Sequence, residues 1–101
     1  MRRDESTKHG SRDDRLRHAM SLHQSGNIAA AAQAYRDLIR DDQRNFHALH
    51  YLGVIEAAQG RHQEAIRLME RSLAIMPINI DFLANYANLL AMTVTAMVLL
   101  G

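Results

Sequence analysis

At 101 residues, nearly half of them apolar, the chain is one domain's worth, enough to bury a modest core. Twelve basic and eleven acidic residues leave a net charge of +1, spread along the chain, which gives no electrostatic footprint for nucleic acid. There is no cysteine, so a disulfide framework and thiolate chemistry are both excluded.

Residues 1–11 are polar, of mixed charge and without periodicity, and are expected to form a disordered arm. Asp4 and Glu5 follow Met1-Arg2-Arg3 and no apolar run comes after them, so a secretory signal is not expected and the predicted location is cytoplasmic. A first helix is predicted from Arg12 to Ser25, capped by Ser11 or Asp13, with a thin apolar face of Leu16, Ala19, Met20 and Leu22. Asn27 is expected to cap a second helix, whose buried stripe reads Ile28, Ala31, Tyr35, Leu38 and Ile39. The run Ala29 to Ala32 is strongly helix-forming, and Arg40 to Arg44 make a charged connector.

Asn45 should cap a third helix from Phe46 to Gln59. Phe46, Leu49, Leu52 and Gly53 share one face of a 3.6-residue period, and His47, His50, Val54, Ala57 and Ala58 share the next. Gly60 permits the left-handed turn that ends a helix. A fourth helix then carries Ile66, Met69, Leu73 and Met76 on one face and stops before Pro77. So short a turn forces the third and fourth helices to lie antiparallel. Asn79 caps a fifth helix with Asp81 in its first turn, and no charge occurs from Phe82 to Leu100.

The chain repeats itself at a spacing of 34 residues. Shifting back pairs Gly60 with Gly26, Ala65 with Ala31, Met69 with Tyr35 and Leu73 with Ile39. Shifting forward pairs Asn45 with Asn79, Leu49 with Leu83, Leu52 with Tyr86 and Gly53 with Ala87. The order Leu49-x2-Leu52-Gly53, then Gly60, Ala65-x3-Met69 and Pro77 resembles the tetratricopeptide repeat. Leu49, Glu56 and Met69 stand where that pattern has its Trp, Tyr and second aromatic. The resemblance covers residues 12–91: a first repeat over 12–45, a second over 46–79 and the first helix of a third over 80–91. Residues 92–101 continue the last helix as an apolar tail.

The resemblance implies an all-α fold of five helices, antiparallel pairs stacked into a short right-handed α-solenoid. It further implies a scaffold that holds a partner protein or extended peptide in the groove lined by the first helix of each repeat. Carried over by position, the groove residues are Leu16, Met20 and His23, then His47, His50, Val54 and Ala57, then Ala84 and Asn88. Asn85 matches the asparagine that bonds a ligand backbone in peptide-gripping members, whereas Arg17 and Tyr51 occupy the other two such positions. The alternative is the N-terminal arm of a larger bacterial enzyme. Leu22-His23-Gln24 with Gly26, Ala31 and Tyr35, then Ala48-Leu49-His50, resembles arms that precede glycosyltransferase or sulfotransferase domains.

No acidic pair, nucleophile with a base or phosphate-cradling glycine loop stands out, so the chain is not expected to be an enzyme and no cofactor is expected. His47 and His50 lie one helical turn apart, but no further ligand accompanies them and no metal is expected. The uncharged stretch from Phe82 to Leu100 is about 28 Å long as a helix, close to the thickness of a bilayer core. Asn85, Tyr86, Asn88, two threonines and the lack of a flanking basic residue count against a membrane anchor. The same stretch instead leads us to expect self-association, because one preceding repeat can cover only one of its sides.

Overall fold

The computed structural model describes residues 11–100, so the expected arm lies outside the described residues except for Ser11. Five helices follow one another: α1 (Arg12–Gln24), α2 (Ile28–Asp41), α3 (Phe46–Ala58), α4 (His62–Ile75) and α5 (Ile80–Leu100). Among the described residues there is no strand. The molecule is an all-helical array in which α1 packs on α2, α2 on α3, α3 on α4 and α4 on α5. It is accordingly elongated, 60 × 28 × 20 Å.

Short polar residues and two glycines set the boundaries. The Ser11 hydroxyl accepts from the Asp14 N–H, and the side-chain oxygens of Asn45 and Asn79 accept from Ala48 and Phe82 at 3.1 and 3.0 Å. Each satisfies a backbone donor that the first turn leaves free. Asn27 departs from expectation: its side chain makes no cap and donates instead to the Ser25 hydroxyl. Its backbone (ψ 68°) is not in the extended conformation that aims a capping side chain at the first turn.

Gly26 and Gly60 close α1 and α3 with φ of 88° and 84°. At each, the glycine N–H reaches back three residues and the next N–H reaches back five: Gly60 to Ala57 and Arg61 to Glu56, Gly26 to His23 and Asn27 to Leu22. This pairing satisfies the last carbonyls and needs the left-handed backbone that only glycine takes without strain.

The core follows the small residues. Ala19, Ala31, Ala48, Leu49 and Ala65 are fully enclosed, together with the larger Tyr35, Leu38, Ile55 and Met69. At Gly53 a Cβ would come within 3.0 Å of the Met69 side chain and 3.3 Å of the Ala65 carbonyl oxygen, so the backbones of α3 and α4 meet there. The buried face of α4 is Ala65, Leu68, Met69 and Ser72. That is rotated from the expected Ile66, Met69, Leu73 and Met76: Ile66 and Leu73 are only half-buried and Met76 is exposed. Close approach at Gly53 draws the small residues Ala65 and Ser72 inward. The Ser72 hydroxyl is satisfied there by donating to the Phe46 carbonyl at 2.8 Å.

Glu56, nearly buried on α3, accepts from Arg61 at 2.5 Å and from Arg36 of α2 at 3.5 Å. One carboxylate thus ties α2 and α3 to the start of α4. Because Asn45 is half-buried and its cap is intact, Asn45→Ala is expected to lower stability by about 1 kcal/mol in a urea melt. An unchanged midpoint would mean that solvent replaces the cap without loss.

Candidate functional site

The first helices of the successive units, α1, α3 and α5, line a common surface. Two hollows adjoin on it. One, of about 230 Å³, is lined by Met20, His23 and Gln24 of α1, Tyr35 of α2, Tyr51 and Val54 of α3, and Asn85 of α5. The other, of about 180 Å³, is lined by Val54, Ala57, Met69, Asn85, Asn88, Leu89 and Met92. Val54 and Asn85 belong to both, so the two form one furrow. Of the groove residues expected from sequence, Met20, His23, Val54, Ala57, Asn85 and Asn88 line it.

His47 and His50 lie elsewhere. His47 sits at the opposite end of α3, in a separate hollow with Arg12, Asp13, Leu16, Asp42 and Phe46. His50 is fully buried and offers no surface to a partner. Its ring stacks on Phe82 with centroids 3.8 Å apart and planes 6° from parallel. Its Nε2 lies 3.0 Å from the Asn85 amide nitrogen. With that amide donating, Nε2 accepts and the proton sits on Nδ1, which has no hydrogen-bond partner. Burial, reinforced by the neighbouring His47, pushes the His50 pKa down to about 4, so the ring is neutral at neutral pH. The residue expected to contact a partner in the groove is instead the bearing on which α5 seats.

Sequence reasoning missed Gln24, Tyr35, Tyr51, Met69, Leu89 and Met92 as furrow residues. Tyr35 belongs to the expected buried stripe of α2, and its ring is enclosed, but it also forms the floor beneath His23 and Tyr51. It stacks on Tyr51 (centroids 5.9 Å) and meets His23 edge-on at 6.2 Å. Burial, with Tyr51 adding, pushes its pKa up to about 12, so the hydroxyl stays protonated. The available signal was the repeat register. Tyr51 occupies the position equivalent to Asn85, and a residue equivalent to a groove residue belongs in the groove.

Neither hollow of the furrow is lined by a charged side chain. Its walls are apolar or aromatic, with the amides of Gln24, Asn85 and Asn88 among them. Among the described residues, no group of three His, Asp or Glu is placed to hold a metal ion. A fourth hollow of about 390 Å³ lies between α2 and α4, where Arg36, Arg40 and Arg71 are interspersed with Glu56 and Glu64.

Comparison with known families decides what this arrangement is. A family model described as tetratricopeptide repeat matches residues 16–77, more than half of the chain. The chain belongs to the tetratricopeptide repeat family. The match ends at Pro77, so it spans the first two helix pairs and stops before α5. No individual curated protein matches the chain significantly. Members of the family are commonly protein-interaction scaffolds, and such repeat domains are typically non-catalytic.

Proposed function

We propose that the chain is a protein-binding module that grips an extended, uncharged peptide segment along the α1–α3–α5 furrow. The carrying observation is that two adjoining hollows share Val54 and Asn85 and contain no charged lining residue. Apolar walls take up alternate side chains of an extended segment, while Gln24, Asn85 and Asn88 supply amides that both donate to and accept from its backbone. A charged side chain would lose its hydration in such a furrow with no counter-charge to replace it. The furrow therefore favours partners with neutral side chains at the contact.

Val54 tests the reading, because it lies on the furrow and is only half-buried. Peptides selected from a random displayed library against the purified chain are expected to bind with micromolar affinity. Val54→Arg should weaken them at least tenfold, about 1.4 kcal/mol, while the helical circular dichroism and the melting point stay unchanged. Selected peptides that bind Val54→Arg as well as wild type would place recognition outside the furrow.

A further inference from the structure

One amide of the furrow is oriented from inside the protein. Asn85 is exposed on α5 and lines both hollows, yet its amide nitrogen lies 3.0 Å from Nε2 of the fully buried His50. The two branches of a carboxamide diverge from one carbon, so a nitrogen turned inward leaves the carbonyl oxygen turned outward. Among the described residues, that oxygen accepts no hydrogen bond.

The ring that holds the amide is itself held. Phe82 stacks on one face of His50, and Tyr51 meets the ring at 76° with centroids 5.2 Å apart. A tilted ring would lose the stack, so the Nε2 lone pair, which lies in the ring plane, keeps its aim. Nδ1 has no hydrogen-bond partner among the described residues, so Asn85 alone selects the tautomer. Nε2 accepts only while the ring is neutral, and burial keeps it so at neutral pH. The repeat register places such a pair at one of the two junctions. A shift of 34 residues carries His50 and Asn85 back onto Leu16 and Tyr51. Leu16 has no acceptor to offer, and Tyr51 stacks on Tyr35 instead.

We propose that His50 is a positioning residue of the furrow: its Nε2 holds the Asn85 amide so that the carbonyl oxygen faces a bound peptide and accepts one of its backbone N–H groups. This rests on the furrow being the peptide site, and it gives that site a fixed polarity where the two hollows meet. The amide is already oriented before the ligand arrives, so binding does not have to order it. The partner must offer an N–H at this point. A proline there has none, and is disfavoured.

Two measurements test it. In long-range proton–nitrogen NMR of the free chain at neutral pH, His50 is expected to carry its proton on Nδ1, the minority form of a free neutral imidazole. A proton on Nε2 would set the Asn85 oxygen against the ring and overturn the proposal. The second measurement uses peptides selected on the wild type that lose affinity for Val54→Arg. Asn85→Ala, at an exposed position, and His50→Leu should each weaken these peptides about three- to tenfold, the range of one hydrogen bond. The losses should not add in the double variant, because His50 acts through Asn85. His50→Gln has a side-chain oxygen that can accept from the same amide, and should bind within about twofold of wild type. A His50→Gln no better than His50→Leu would reduce His50 to packing, and additive losses would show the two residues acting separately. Either result overturns the proposal. The furrow reading fails differently, when no selected peptide responds to Val54→Arg, and the tautomer of the free chain then still decides whether His50 orients Asn85.

Discussion

Ala65→Leu is expected to destabilise the fold by about 1–3 kcal/mol through overpacking. Ala65 is completely enclosed, and its carbonyl oxygen sits 3.3 Å from where a Cβ on Gly53 would be. Three further heavy atoms at this point can be housed only by driving α3 and α4 apart, which would also loosen Leu49 and Met69. Gly53→Val should act in the same direction, because its Cβ alone would press on the Met69 side chain at 3.0 Å. Met69 is flexible and absorbs part of that, so the alanine site is the sharper test. A urea midpoint for Ala65→Leu equal to wild type would show that the two helices do not approach so closely.

The second large effect is with pH. His50 has a pKa of about 4 when folded, against the ordinary 6.5 of an unburied ring. Between those values the unfolded chain binds the extra proton, so stability is complete above pH 6.5 and declines as the pH falls toward 4. From about pH 7.5 to about pH 4.5 the loss attributable to this ring is about 2–3 kcal/mol. The His47 pKa is also lowered by burial, opposed by Asp13, and contributes with the same sign. His50→Gln keeps a hydrogen-bonding end for Asn85 but cannot titrate. Its urea midpoints are expected to depend much less on pH across that interval than those of wild type. Parallel dependences for the two proteins would remove His50 as the cause.

The role of His50 also marks where reading the sequence stops. The five helices were legible because their ends carry punctuation with a local mechanism: Ser11, Asn45 and Asn79 as caps, Gly26 and Gly60 as left-handed closures, Pro77 as a stop. The 34-residue register was equally legible, and it placed six groove residues along the furrow. His50 was not, since its burial comes from Phe82 and Asn85, more than thirty residues away, folding over it. A polar residue beside an apolar stripe looks solvent-facing until a later helix covers it. The rotated face of α4 has a related origin: periodicity ranks large apolar residues first, while the approach at Gly53 favours small ones. Asn27 makes no cap because residue type alone does not set the backbone angle that capping needs.

The furrow's two walls are secured in different ways. On the α1 side the wall is Met20 and His23, yet α1 buries only Ala19 completely. Leu16, Met20 and Leu22 pack against the core beside it, and two ion pairs join α1 to the end of α2: Arg12 to Asp42 at 2.6 Å and Arg15 to Asp41 at 2.8 Å, with none of the four side chains buried. Such pairs contribute at most about 1 kcal/mol each and weaken as salt rises. The opposite wall, α5, is seated by Phe82, Leu89 and the stacked His50. Raising the ionic strength therefore acts on one wall only, loosening the ion pairs at α1 while leaving the apolar and stacked seat of α5 in place.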